Sequence, residues 1–292
     1  MEVPKLCAAS NTTMKIAYCG YDFFHGCLRH LIEGGHEILK VFTFDCDNRF
    51  NFNVYVHEIS RHQQIPITTK AITTSDLLRL KEQGCELVVT AGYRYKVPEL
   101  TSLNLKGFNI HPTLLPVGRG VWPLPWLILT EQAYGGVSIH KLTSEYDAGD
   151  ILLQSGFEIT ADEDLESLSC KTQMYATHAF ASLMQDFDNK WFNAVVQDET
   201  KATVWPMPQR SHRTLEWTKS VTELDRICRA FGKYGSCAYF NNTWWWVYDL
   251  KVWRQTHSEE VGKVVHKSNT EMVVSASDGF VCLRVFESLT NV

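Results

Sequence analysis

Leu87-Val88-Val89-Thr90-Ala91 carries no charge and no break in its apolar character. A strand with one wet face alternates apolar and polar residues, so an unbroken run fits a parallel strand buried on both faces. Such strands need crossover connections, and the flanking sequence supplies them. Upstream, Lys15-Ile16-Ala17-Tyr18-Cys19 reads as a first strand ending at Gly20, and Phe24 to Glu33 as a helix stopped at Gly34-Gly35. Leu39 to Phe44 is a second strand and Val54 to Gln64 a second helix, followed by the short extended piece Ile65-Pro66-Ile67. Ser75 is expected to cap a helix over Asp76 to Gln83, with Gly84 closing it. Gly107 to His111 is a further short strand. Apolar runs alternating with helical patterns predict a doubly wound α/β sheet.

Downstream the same reading continues to about residue 204. Val121 to Glu131 predicts a helix that starts late, because Pro123 and Pro125 fit only a first turn. Val137 to Thr143 and Ile151 to Thr160 read as strands flanking an Asp147-Ala148-Gly149-Asp150 turn. A long helix follows from about Glu163 to Asp186, with Leu165, Leu168, Thr172, Tyr175 and Ala179 along one face. Thr203 to Arg210, holding Pro206 and Pro208, reads as an extended linker. Ser220-Val221-Thr222-Glu223 is a capping box that opens a helix ending near Phe231. Five strand candidates come after it: Ser236–Phe240, Thr243–Trp253, Gly262–His266, Glu271–Ala276 and Phe280–Phe286. Short strands at this spacing suggest a small β-barrel. The expected organisation is a loose extension over 1–13, an α/β domain over 14–204 and a barrel domain over 205–292.

Composition narrows the function classes. The 292 residues carry a net charge of −5, with 45% apolar and 21% charged side chains, so the chain has surface enough to fold without help. A chain of this length buries about 75% of its unfolded surface. No window of 18 uncharged apolar residues occurs, and no apolar segment precedes Met14, so neither a membrane span nor a secretory signal is expected. Nine cysteines without a C-x-x-C pair point to reduced thiols and a cytoplasmic location. Residues 1–204 hold 17 basic and 24 acidic side chains, and residues 205–292 hold 11 and 9. That is too thin a basic excess for a strong polyanion grip, and it leans away from nucleic acid as the partner.

Several familiar motifs are missing. There is no G-x-x-x-x-G-K-[ST], and Gly118-Arg119-Gly120 lacks the third glycine of a dinucleotide fingerprint. His57-Glu58-Ile59-Ser60-Arg61 begins like a zinc motif but has arginine at the second ligand position. His62 comes one residue late, about 100° around the helix, so no metal is expected. No G-x-S-x-G elbow occurs either.

The informative stretch is Asn109-Ile110-His111-Pro112-Thr113-Leu114-Leu115-Pro116. On a strand Asn109 and His111 project side by side, and Pro112 holds His111 in extended backbone. An amide donor beside an imidazole suits acyl transfer: one hydrogen-bonds a developing oxyanion, the other moves a proton near neutral pH. The plain alternative is a strand-end histidine satisfied by backbone. Asp147, 36 residues after His111, could orient the imidazole or simply build its turn. Arg119 is either a surface charge or a partner for a carboxylate or phosphate. Trp244-Trp245-Trp246 must place its middle ring opposite its neighbours, so at least one belongs in a core. The run lacks interleaved basic residues, and an aromatic patch for sugar contact or homodimer formation is the alternative to nucleic-acid stacking.

Taken together, Asn109-Ile-His111, Leu114-Leu115-Pro116, Arg119-Gly120 and Asp147-Ala148-Gly149 resemble the folate-dependent formyltransferase family. That family includes the methionyl-tRNA formyltransferases and the amino-sugar N-formyltransferases. Val88 to Pro98 is similar to its pterin-side loop. Trp217-Thr218-Lys219-Ser220, Arg229-Ala230-Phe231, Gly262-Lys263-Val264-Val265 and Ser277-Asp278-Gly279 resemble its C-terminal domain.

The resemblance implies a Rossmann-like, mostly parallel sheet with helices on both faces, followed by a small OB-like β-barrel. It implies 10-formyltetrahydrofolate as formyl donor and no metal. By position, Asn109 would polarise the formyl oxygen, His111 would act as base or proton shuttle, and Asp147 would orient His111. Gly92, Tyr93, Arg94, Leu114 and Tyr146 would line the pterin, and Tyr21, Arg119 and Trp122 the acceptor. The loop Phe44-Asp45-Cys46-Asp47-Asn48-Arg49-Phe50-Asn51 holds two acids and one arginine, where tRNA-acting members are basic and Gly-rich. The expected acceptor is therefore the amine of a nucleotide-linked amino-deoxy sugar, as in lipopolysaccharide biosynthesis. Trp122 and Trp126 would wall a 6-deoxy carbon or pack a helix. The alternatives are methionyl-initiator tRNA, a small amine such as hydroxyornithine, or a degenerate folate- or nucleotide-binding module.

Overall fold

Alternate residues of the first strand serve two different cores. The structure is a computed structural model and describes residues 13–289. All of the expected N-terminal extension except Thr13 lies outside the described residues. In β1 (Lys15–Gly20), Ile16 and Tyr18 enter one apolar cluster and Ala17 and Cys19 another. After it come α1 (His25–Glu33), β2 (Glu37–Phe42), α2 (Val54–His62), β3 (Ile67–Thr68), α3 (Thr74–Glu82), β4 (Leu87–Ala91) and β5 (Lys106–His111). In β4 the division repeats: Leu87, Val89 and Ala91 join the first cluster with Leu28 and Leu31 of α1, and Val88 joins the second with Leu77 and Leu80 of α3. Each fully buried Val or Leu stabilises by about 1.5–3 kcal/mol, which is why apolar residues dominate both faces.

The chain continues through α4 (Leu124–Leu129), β6 (Tyr134–Lys141), β7 (Ile151–Glu158), α5 (Leu165–Gln185) and α6 (Phe187–Phe192). Seven strands form one sheet in the order β3-β2-β1-β4-β5-β6-β7. The pairings from β3 to β5 are parallel, whereas β5 and β6 are antiparallel. The sheet is thus mixed and mostly parallel, with helices on both faces.

Several boundaries differ from the sequence reading. Thr73, not Ser75, caps α3, because the reciprocal bond needs a carboxylate three residues on: Thr73 Oγ1 accepts from Asp76 N, and Asp76 Oδ2 accepts from Thr73 N. Position 78, three residues after Ser75, is leucine. β2 starts at Glu37, two residues before the expected Leu39, because Gly35 (φ +80°) turns the chain and Glu37 N bonds Met14 O at once. α4 is confined to Leu124–Leu129, and α6 was not anticipated.

The remaining elements are β8 (Thr214–Leu215), α7 (Val221–Phe231), β9 (Ser236–Phe240), β10 (Thr243–Arg254), β11 (Val264–Lys267), β12 (Met272–Ala276) and β13 (Gly279–Ser288). Their sheet runs β11-β12-β13-β10-β9-β8, antiparallel except between β8 and β9. α7 opens on the expected capping box of Ser220 and Glu223, and it buries Val221, Leu224, Ile227, Cys228 and Phe231. Trp245 stacks on Phe240 at 5.3 Å and contacts Phe286. Its neighbours Trp244 and Trp246 lie under the guanidinium groups of Arg210 and Arg213, at 4.0 and 5.0 Å. Basic partners for these rings therefore come from another segment, which the local sequence did not reveal.

The chain divides into two compact units. One comprises residues 1–119, 136–156 and 172–204, the other residues 120–135, 157–171 and 205–292. Among the described residues no helix is long and apolar enough to cross a membrane. Nor does any group of three or more His, Cys, Asp or Glu there suit a metal ion.

Candidate active site

The strand order reverses between β1 and β4, and in open α/β sheets ligands bind in the crevice outside the carboxyl ends at such a switch. β5 ends beside it at His111. Phe108 and Ile110 point into the core, so Asn109 and His111 share the opposite face. β6 runs antiparallel to β5 in a register that sets His140 directly across from Asn109.

The loop after β6 returns Asp147 to this pair. Its carboxylate Oδ1 lies 3.4 Å from His111 Nδ1 and 3.5 Å from both His140 Nε2 and Asn109 Nδ2. Asp147 has φ +55°, a left-handed turn that aspartate tolerates better than most residues. Two positions later the backbone passes so close to β6 that a Cβ on Gly149 would lie 1.9 Å from Lys141 O. Glycine is required there by contact.

Hydrogen bonding fixes the states of these groups. His111 Nε2 lies 2.8 Å from Gly118 O; a carbonyl only accepts, so Nε2 carries the proton and Nδ1 is left to face Asp147. Burial pushes the His111 pKa below the usual histidine value, opposed by the Asp147 charge and by the Gly118 bond. Asn109 Oδ1 accepts from Thr90 Oγ1 at 2.7 Å, and Asn109 Nδ2 stands 3.2 Å from His140 Nε2. His140 Nδ1 lies 3.0 Å from Lys141 O. A neutral histidine, a carboxylate and an amide thus meet in one buried corner, competent for proton transfer beside an oxyanion.

The sequence reading missed His140 and Gln197. Gln197 is buried, and its Nε2 donates to Asp147 O and Gly149 O at 2.7 and 2.8 Å. Its Oε1 accepts from Arg119 Nε and Nη2 at 3.2 and 2.7 Å. An isolated glutamine after a helix gives no pattern to detect, and His140 acquires meaning only through the antiparallel register.

The other expected residues are placed as follows. Gly92 (φ +69°) abuts Tyr21, whose ring also packs on Phe44 at 5.2 Å. Arg94 is exposed, with its guanidinium over Phe44 and Tyr95 at 5.3 and 5.7 Å. Tyr93 is turned toward the core and its hydroxyl accepts from Ile72 N. Leu114 packs against Gly136, and Tyr146 is 68% exposed with Lys96 over its ring. Arg119 and Trp122, both expected at the acceptor, have partners within their own units. Arg119 turns into the protein, where its guanidinium binds Gln197 and Glu199. Trp122 packs on Phe231 and Tyr234 within the second unit.

Comparison with known proteins extends the picture. Residues 56–183 match the formyl transferase family, and residues 209–288 match the formyl transferase C-terminal domain. Methionyl-tRNA formyltransferase of Lachnospira eligens is 24% identical over 284 residues, covering 92% of this chain and 90% of the relative. An N-formyltransferase from Helicobacter canadensis, solved with folinic acid and dTDP-3-aminofucose, superposes with a TM-score of 0.68 at 17% identity, over 94% of this chain and all of that one. A variant of HypX from Aquifex aeolicus gives a TM-score of 0.70 at 15% identity, over 96% of this chain and 45% of its own. At these identities the two structures speak to the fold.

Proposed function

Because the chain belongs to the formyl transferase family, we propose that it moves the formyl group of 10-formyltetrahydrofolate to the amine of a nucleotide-linked amino-deoxy sugar. The observation that carries this reading is the corner in which Asp147 Oδ1 faces His111 Nδ1 while Asn109 presents its amide beside them. In this chemistry the unprotonated amine attacks the formyl carbon, a new C–N bond forms, and the bond to the folate nitrogen breaks. Asn109 Nδ2 donates to the formyl oxygen as negative charge develops there. The amine proton passes to the His111–Asp147 pair at Nδ1 and from there to the leaving nitrogen. Gly92 suits a planar pterin edge, since its missing side chain leaves backbone exposed next to Tyr21.

The sugar acceptor is supported by the acidic loop over residues 44–51 and by the near-balanced charge of residues 205–292. A second reading, methionyl-tRNA as acceptor, draws on the likeness to a methionyl-tRNA formyltransferase along most of the chain. The test is release of tetrahydrofolate with UDP-, dTDP-, GDP- and CMP-linked amino sugars and with methionyl-tRNA in parallel. Turnover with one nucleotide sugar and none with tRNA is expected; the reverse pattern rejects the first acceptor. Asn109→Ala should slow turnover on the order of a hundredfold, as loss of an oxyanion donor does. Wild-type rates in both Asn109→Ala and His111→Ala would reject the chemistry.

A further inference from the structure

We propose that His140 is a positioning residue that decides which way the Asn109 amide points. The inference rests on the formyl-transfer reading for its consequence and on the geometry around Asn109 for its basis. A carboxamide presents nearly the same shape after a 180° flip, but the flip exchanges donor for acceptor. Only the orientation with Nδ2 toward Asp147 can donate to a developing oxyanion.

Thr90 does not make that choice. Its Oγ1 lies 2.7 Å from Asn109 Oδ1, but a hydroxyl donates or accepts equally well. Phe108 O, 3.3 Å from the same hydroxyl, stands ready to take its hydrogen if the amide were reversed. His140 has no such latitude. The Lys141 carbonyl, 3.0 Å from Nδ1, can only accept, which places a hydrogen on that nitrogen. Nε2 is left with a lone pair 3.2 Å from Asn109 Nδ2, and a lone pair accepts only from N–H. In the reversed amide, Oδ1 would face that lone pair and, at 3.5 Å, the Asp147 carboxylate as well. Of the two acceptors on this side, His140 is the nearer.

His140 is almost fully buried, so water does not compete for Nε2. It faces Asn109 from β5, Asp147 from the following loop, and the His111 ring at a centroid distance of 6.4 Å. The antiparallel register of β5 and β6 makes this contact a property of the sheet itself.

The test compares His140→Phe, which keeps a ring without an acceptor, with His140→Gln, whose Oε1 can accept from Asn109. His140→Phe should lower kcat by about 10- to 100-fold, up to the loss of a whole oxyanion donor, with KM within about threefold. His140→Gln should restore kcat to within about fivefold of wild type. In an Asn109→Ala background His140→Phe should add less than about twofold, because the group it orients is gone. Full additivity on that background, or wild-type kcat in His140→Phe alone, overturns the proposal. A second measurement needs neither catalysis nor a folded variant: nitrogen-15 NMR of the wild-type imidazole should show the hydrogen on Nδ1 of His140. A hydrogen on Nε2 overturns the proposal by itself. If wild type transfers formyl to none of the acceptors, the functional reading fails while this spectrum still reports on the orientation.

Discussion

Replacing Gln197 by methionine should loosen the Asp147 loop and cost the fold a measurable part of its stability. Met conserves the length and apolar packing of the side chain but removes all four hydrogen bonds that Gln197 makes to Arg119, Asp147 and Gly149. A buried hydrogen bond is worth about 1 kcal/mol net, and somewhat more when one partner is charged, so the loss is about 4 kcal/mol. Arg119 retains its bonds to Glu199, which keeps the figure from rising further. Gln197→Glu separates the two halves of the effect. A carboxylate still accepts from Arg119 but has no hydrogen for the Asp147 and Gly149 carbonyls, so about half of that loss should remain and kcat should fall at least tenfold. Urea unfolding followed by circular dichroism gives the first quantity, and steady-state tetrahydrofolate release the second. A loss under about 1 kcal/mol in Gln197→Met with unchanged kcat would falsify the claim that Gln197 holds this loop.

Gly149→Ala should be worse tolerated, because its Cβ meets backbone, not a movable side chain, at 1.9 Å; the expected signature is a large fall in kcat together with a lowered Tm. Acid sensitivity follows from His30, His36 and His111, whose pKa values burial lowers in the folded chain. The unfolded chain binds protons first as pH drops through about 6.5, so stability is complete above that value and declines below it; a urea midpoint constant from pH 7 to pH 5 would contradict this. Among the cysteines of the described residues, native thiol labelling should be led by exposed Cys170, while Cys19 and Cys27, wholly buried with thiols pushed far up, react only on unfolding. Cys46, pushed up to about 11 mainly by burial, should lag behind Cys170 at pH 8, and fast mass-spectrometric labelling of Cys46 would refute that ordering.

The strands of the α/β sheet were legible because both faces of Leu87–Ala91 and of Ile16–Cys19 are buried, which writes near-continuous apolarity into the sequence. The α7 cap was legible because Ser220 and Glu223 are three residues apart and bond reciprocally. Ser75 misled because a capping hydroxyl is decided by its N3 partner, and Asp76 answers Thr73 instead. Around Asp147, the convergence of Asn109 and His111 follows from strand period and was readable. The contribution of His140 depends on a cross-strand register, and that of Gln197 on a loop brought back from 50 residues away. Neither leaves a trace in local sequence. The partners of Trp122 and Arg119 were equally hidden: the fold packs one on Phe231 and binds the other to Glu199, both distant in sequence.

The division of the chain into interleaved pieces has a practical meaning for anyone hoping to dissect it. Each unit collects three separate stretches, so the polypeptide passes from one to the other five times between residues 119 and 205. A protein cut at residue 204 would carry 120–135 and 157–171 without the segment they cluster with, and the excised tail would lack them in turn. Trp122 would leave Phe231 and Tyr234 uncovered, and Arg229 would lose the Glu163 carbonyl. During synthesis residues 120–135 and 157–171 likewise emerge before 205–292, the stretch that completes their own unit. Questions about the second unit are therefore better put by point substitution than by scissors.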